Sequence, residues 1–298
     1  MSEDGERIDR YLIRMGLARS RRAARDMIAA GSVRVNETLA KKGDLVRESD
    51  RVDAGRPGER PAAIVANPAL ALRVLYEDAA VLVVNKPGGM PCHPIRPGEN
   101  DCVMNAVAAR FPETATIGDK PNEGGLLHRL DNGTSGALMI ARTPAAFAGL
   151  RAAIRGALVL RRYEALVMGT IRTGAEIDRP IAHHPKNARK MIPGDPGSSN
   201  PKAAGRPALT SIEPIRRIGG FTLVSVRPKT GCRHQIRVHL ASIGHPIVGD
   251  TLYGGPAAEA LAPGRFWLHL CELEFDSPAD SRVKVTAPLP SDLQVLLG

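Results

Sequence analysis

Asp131 lies in the run His128-Arg129-Leu130-Asp131-Asn132-Gly133-Thr134-Ser135-Gly136. The apolar pair Leu126 and Leu127 precedes the run and Ala137-Leu138-Met139-Ile140 follows it, so the carboxylate falls on a connection between two buried segments. A carboxylate held there can act as a nucleophile or as a base. The same residue types also suit a turn with no chemistry, because Asp, Asn, Gly, Thr and Ser all favour turns. A hydrolase built on Ser135, His128 and Asp131 is the poorer alternative, since no GxSxG elbow and no distant triad partner accompany them.

The elements that must position this run read as a mixed α+β pattern. From Leu72 onward, LRVLYED and AVLVVNKP form two strands joined near Asp78, and residues 102–111 form a helix leading to Pro112. Thr143 and Pro144 open a helix that turns Phe147, Leu150 and Ile154 inward and stops at Gly156. Strands follow around 158–168 and 221–227, the second reached through the Gly219-Gly220 turn. Residues 234–243 look helical, with Ile236, Leu240 and Ile243 on one face and Gly244 beyond the end; on pattern alone Arg237 is then a helix-surface arginine. Residues 183–207, rich in Pro, Gly, Ser and basic residues, read as an exposed loop.

The front of the chain is different. Ile8, Leu12 and Met15 share one face of a helix, and Ser20 can cap a second that runs to about Ala30, where Gly31 stops it. The second helix buries Ala24, Met27 and Ile28 and leaves Arg21, Arg22 and Arg25 outside. Eight arginines between residues 7 and 34 against Asp9 and Asp26 give a net of +6, a guanidinium density that suits a phosphate backbone. Val33 to Asn36 then reads as a strand leading into a turn, and residues 46–52 as a second alternation. Residues 56–71, with three prolines and no period, read as a linker.

HRLDNGTSG resembles the active-site motif HRLDxxTSG of the RNA pseudouridine synthases, in the branch that includes the large-subunit ribosomal RNA enzymes. Four further segments match the same family in order: NKPGGMPCHP at 85–94, RRYEALV at 161–167, TGCRHQIRVH at 230–239 and GDTLYGG at 249–255. The resemblance implies the pseudouridine synthase fold, with a mixed, mainly antiparallel central sheet over residues 72–298. It implies Asp131 as the catalytic residue, Tyr163 as a ring that stacks on the displaced uracil, and Arg237 as the cation that pairs with the aspartate. It gives Arg129 a part in base flipping, with His128 either a structural hydrogen-bonder or a reader of RNA. Lys190 matches a basic segment of the family, while Cys232 replaces its usual arginine and leaves Arg233 as the neighbouring charge. Residues 1–55 resemble a small αβ S4-like RNA-binding domain, with Glu37 in place of the usual turn glycine.

Composition agrees with that reading. A formal charge of +10 and a pI near 9.8 point to a polyanionic partner, here structured RNA and by resemblance large-subunit ribosomal RNA. With 43% hydrophobic but only 3% aromatic residues, the core must be mostly aliphatic. Cys92, Cys102, Cys232 and Cys271 show no CxxC or metal-ligand spacing, and His183 and His184 are adjacent without a framing ligand, so no metal is expected. The chemistry implied by the resemblance moves a glycosidic bond without redox change, and no cofactor is expected either. MSEDGER has no apolar leader, and no run approaches the roughly 18 residues of a membrane span. A cytoplasmic monomer with free thiols is expected.

Overall fold

The computed structural model describes residues 5–18, 20–29, 31–54, 64–95, 98–119 and 123–298. The small front module opens with β1 (Glu6–Arg7), α1 (Ile8–Arg14) and α2 (Arg21–Ala29), followed by β2 (Val33–Val35), β3 (Thr38–Leu39), β4 (Leu45–Val46) and β5 (Val52–Ala54). Ile8 and Leu12 of α1 pack with Ala24 and Ile28 of α2 and with Val33 and Val46, forming a core of their own. Ser20 Oγ accepts the Ala23 N–H, and Gly31, at φ 69°, takes the left-handed step that ends α2. Ala30 and Arg19 lie outside the described residues.

Three details of this module depart from the sequence pattern. Met15 stands past the end of α1 and is 51% exposed, because the helix closes one residue before it. The alternation over 46–52 is broken into β4 and β5 by a turn in which Asp50 Oδ2 accepts the Arg47 N–H. The turn after β2 survives without its glycine: Asn36 and Glu37 both adopt positive φ (49° and 67°), and Arg34 Nη1 donates to Glu37 O. Of the expected linker, residues 56–63 lie outside the described residues, whereas Ile64 is 5% exposed in the main core and Val65 O accepts from Asn105. Residues from 64 onward therefore pack on the larger body instead of bridging to it.

That body is built on β6 (Val74–Glu77), β7 (Val81–Lys86), α3 (Val103–Arg110), β8 (Ser135–Ala141), α4 (Pro144–Arg155) and β9 (Leu160–Met168). It continues through β10 (Ala175–Asp178), β11 (Ile181–His183), β12 (Met191–Pro193), α5 (Pro201–Ala204), β13 (Leu209–Ile218), β14 (Phe221–Pro228), α6 (Gln235–Ser242), β15 (Leu268–Asp276), β16 (Arg282–Thr286) and α7 (Ser291–Gln294). The central sheet runs β10-β13-β14-β9-β15-β8-β7-β6, with β16 beside β15. Only β8 and β15 pair in parallel; every other pair is antiparallel, which is the mixed, mainly antiparallel α+β sheet the sequence implied.

The core is aliphatic, as the composition requires: Val81 to Val84 and Ala137 to Ala141 are buried on the paired strands β7 and β8, and Ala165 to Val167 on β9 beyond β15, with Trp267 and Phe275 among its few rings. Local chemistry sets the turns. Asp78 Oδ1 accepts the Ala80 and Val81 N–H groups between β6 and β7, and Thr143 Oγ1 accepts the Ala146 N–H at the start of α4. Residues 183–207 are not one open loop: β11 and β12 pair, α5 follows, and Met191 is buried. Ile243 caps α6 and is 39% exposed, so the buried face of that helix ends at Leu240.

Candidate active site

The turn that carries Asp131 is held from both sides. Lys86, at the end of β7, is fully buried, and its Nζ donates to Pro87 O (2.9 Å), Asn132 O (3.1 Å) and Thr134 O (2.7 Å). Among the described residues no carboxylate bonds to this ammonium, and burial pushes its pKa down to about 8. Cys92 Sγ donates to Leu130 O and accepts the Leu130 N–H, and Gly89 N donates to Asn132 O. The NKPGGMPC segment thus acts as a clamp on both flanks of Asp131.

From the other side Arg265 donates to Gly133 O and Phe266 O and to Ser135 Oγ, while its Nε pairs with Asp292 at 2.7 Å. Ser135 is 1% exposed and shares a 2.9 Å hydrogen bond with His269 Nδ1, whose Nε2 faces Ala287 O. A serine engaged in this way is scaffold, and the hydrolase alternative loses its nucleophile. Gly136 sits at φ 122°, directly against β15, where a Cβ would strike the Leu270 backbone. The parallel pairing of Gly136 with Leu270 therefore needs a bare backbone.

Arg237 is 7% exposed, which removes the helix-surface reading. Its Nε and Nη2 donate to Asp250 Oδ2 and Oδ1 at 2.7 and 2.9 Å, and its Nη1 donates to Asp131 Oδ2 at 2.9 Å. The Tyr253 and Phe266 rings flank the guanidinium at 4.9 and 4.4 Å. Burial opposes the charge on Arg237, and the two carboxylates more than offset it, so its pKa is raised. Asp131 Oδ2 also faces His234 Nε2 at 3.9 Å, whereas Oδ1 has no hydrogen-bond partner among the described residues. His234 takes a left-handed conformation (φ 55°) at the start of α6, and its Nδ1 shares a 2.8 Å hydrogen bond with the Tyr253 hydroxyl. Burial, followed by the Arg237 and Arg233 charges, holds His234 neutral well below the usual histidine range.

Tyr163 lies on β9, paired with Leu270 of β15, which in turn pairs with Gly136. The ring is 7% exposed, and burial together with the nearby Asp131 charge pushes its pKa up to about 12, which keeps the phenol protonated. The structure thus brings Asp131, Tyr163 and Arg237 to one place.

The expected RNA contacts divide. Arg129 is exposed at the rim of the turn. His128 is turned inward: its Nε2 accepts the Met139 N–H, and burial drives its pKa down to about 3, so it is a structural ring and not a surface reader. Arg233 donates to Ala188 O and Arg189 O, and Lys190 lies 5.6 Å over the Tyr253 ring, so the basic segment is docked on the site. Cys232 sits in the turn before α6, not on a strand, with Sγ toward Pro207 O. In the front module Arg21 and Arg25 line a pocket with Arg7, Asp9 and Arg10, and Arg22 is exposed nearby on α2. Sequence reasoning missed roles for Lys86, His234, Asp250, Tyr253 and Arg265. All but Arg265 stand inside segments whose family match was noted, and that match was the available signal.

Comparison with known proteins converges on the same chemistry. The family of RNA pseudouridylate synthases matches residues 80–242, and the S4 domain family matches residues 6–52. The chain is 32% identical to the ribosomal large subunit pseudouridine synthase D of Pseudomonas aeruginosa, over 99% of this chain and 92% of that one. It is 36% identical to an uncharacterized RNA pseudouridine synthase of Chloroflexus aurantiacus over 99% and 90% of the two chains. Among solved structures, human RNA pseudouridylate synthase domain containing 1 superposes with a TM-score of 0.59 at 28% identity, covering 76% of this chain and 87% of that one. An aspartate held by an arginine beside a buried tyrosine is thus embedded in a family match over more than half of the chain, and the chain belongs to the RNA pseudouridylate synthase family.

Proposed function

We propose that the protein isomerises uridine to pseudouridine in large-subunit ribosomal RNA, with Asp131 as the catalytic residue. The observation that carries this reading is the asymmetry of its carboxylate. Oδ2 is anchored by Arg237, and Oδ1 has no hydrogen-bond partner among the described residues. Attack on the ribose and removal of a ribose proton would both begin from that oxygen, and the Arg237 contact on Oδ2 fixes where it points. The N1–C1′ bond breaks, the uracil turns, a C5–C1′ bond forms, and the C5 proton moves off as N1 gains one. Tyr163 stacks on the turning base, and Arg129 takes the space the base leaves in the RNA, which offsets part of the few kcal/mol that extrusion costs.

Residues 1–55 serve as the S4-like arm that grips the RNA backbone through Arg21, Arg22 and Arg25, and Lys190 with Arg233 adds charge beside the cleft. The ribosomal substrate is supported by the names of the relatives and by this arm. A single chain, in the cytoplasm and without a cofactor, suffices for this reaction.

The test is release of tritium from RNA labelled at C5 of uridine. Ribosomal RNA should release label with the intact protein and release none with Asp131→Asn. No release from ribosomal or transfer RNA would overturn the enzymatic reading, and release from transfer RNA alone would overturn the ribosomal substrate.

A further inference from the structure

Arg161 stands apart from the other described arginines of this body that are buried or half-buried. Arg237 pairs with Asp131 and Asp250, Arg265 with Asp292, and Arg162 with Glu164 and Glu272. Arg161 has no carboxylate partner among the described residues, although it is only partly exposed. It lies two residues before Tyr163 on β9, so both side chains stand on the same face of the sheet. Its charge reaches both Tyr163 and His128.

The guanidinium is aimed by the backbone. Nη2 donates to Thr230 O (3.1 Å) and Pro228 O (3.5 Å), at the end of β14 and in the turn that leads to His234. Nε is buried without an acceptor. Nη1 makes no hydrogen bond among the described residues either and lies beside Gly231, where a Cβ would meet nothing nearer than Nη1 itself at 4.0 Å. A cation held in place by backbone carbonyls, with a buried Nε that has no acceptor and no carboxylate partner among the described residues, calls for an acceptor from outside the protein.

The proposed reaction supplies one. As the N1–C1′ bond breaks, its electron pair leaves with the base, and the negative charge spreads over N1 and the carbonyl oxygens of the uracil. The pair returns when C5 bonds to C1′. We propose that Arg161 is the electrostatic partner of the displaced uracil, its Nη1 donating to a carbonyl oxygen of the base that Tyr163 holds. No proton is transferred to or from the guanidinium, which remains charged throughout. The contact strengthens as charge develops, so it acts on the rate more than on the affinity. This inference rests on the function proposed above, and its failure can be told from the failure of that reading.

The experiment uses the full-length protein with Arg161→Gln and Arg161→Lys, reading tritium release at saturating RNA and, separately, RNA affinity by gel shift. The glutamine variant should lose about 10²-fold or more in rate, the magnitude for removing one such donor, with affinity changed less than about threefold. The lysine variant should recover part of the rate, because it restores charge without the fork. Should Arg161→Gln fold poorly by thermal melt, Arg161→Ala measured with added guanidinium chloride at low millimolar concentration should regain rate in a saturable way. A weakened affinity with an unchanged rate would make Arg161 a phosphate anchor and overturn the proposal. So would wild-type rates in both variants, or no rescue of the alanine variant by guanidinium. If the unmodified protein itself releases no tritium, the functional reading has failed first.

Discussion

Asp250 takes the Nε and Nη2 groups of Arg237 on its two carboxylate oxygens, and this leaves Nη1 as the one nitrogen turned to Asp131. Asp250 is 2% exposed and, among the described residues, reaches the Asp131 carboxylate through the arginine. It is a positioning residue, and the aim of Arg237 depends on it. Asp250→Asn should lower stability by about 3–5 kcal/mol, as breaking a buried pair does. The rate at saturating RNA should fall by roughly 10²-fold, the scale for a misplaced group, with RNA affinity held within about threefold. Thermal melts and tritium release check both parts; an unchanged rate would show that Arg237 is aimed by something else.

Arg237→Lys separates geometry from charge. An ammonium cannot span two carboxylates on a fixed fork, so the rate should fall nearly as far as in Asp250→Asn. The double variant Arg237→Lys/Asp250→Asn should then be little worse than either single one, since both remove one arrangement. Additive losses in a double-mutant cycle would separate the two roles.

Gly136 and Gly149 offer a contrast within one chain. Gly136→Ala places a Cβ against the Leu270 backbone at a φ of 122°, so it should lower the melting temperature sharply or abolish soluble expression. Gly149 lies inside α4 with nothing near its missing Cβ, and Gly149→Ala should stabilise by about 0.5–1 kcal/mol. Equal melting temperatures for the two variants would contradict the close approach of β8 and β15.

Acid stability should report on His128. Burial lowers its pKa in the fold to about 3 from an ordinary 6.5, so between those values the unfolded chain binds more protons than the folded one. The contribution is fully present above about pH 6.5 and is lost as pH falls toward 3. His128→Asn, which keeps an acceptor for the Met139 N–H, should flatten the fall of melting temperature between pH 6.5 and 4. An unchanged slope would assign the acid response elsewhere.

The front module should be visible in salt dependence. Arg21→Gln/Arg25→Gln removes two cations from the pocket they line with Arg7 and Arg10. The slope of log affinity against log salt should become shallower by about 2, with the rate at saturating RNA retained. An unchanged slope would place the RNA backbone away from this face.

The chemistry was more legible in the sequence than its support. Asp131, Tyr163 and Arg237 stand in segments whose residue types carry the match, and the strands around them announce themselves as apolar runs such as Val81 to Val84. Arg237 was ambiguous because helical periodicity records only apolar neighbours, whereas the element packed on this helix brings Asp250. Arg265 gave no local sign of its role and Lys86 none beyond its place in a matching segment, since both donate to backbone carbonyls of distant turns, and backbone acceptors carry no residue type. The β11 and β12 hairpin was hidden for a related reason. Its strands are three residues each, too short to show an alternation among the prolines and glycines around them.

The parallel neighbour of the Thr134-Ser135-Gly136 turn is β15, and the bond from Ser135 to His269 joins residues 134 positions apart. During synthesis β8 and β9 emerge long before the strand that belongs between them, so the middle of the sheet stays a gap until residues 268–276 are available. The catalytic turn then acquires its ceiling and the Arg265 brace at nearly the same moment. The order of the site is thereby tied to the arrival of β15: a ribosome-bound fragment that carries every residue up to Arg237 would hold Asp131, Tyr163 and Arg237 and still lack the strand between β8 and β9.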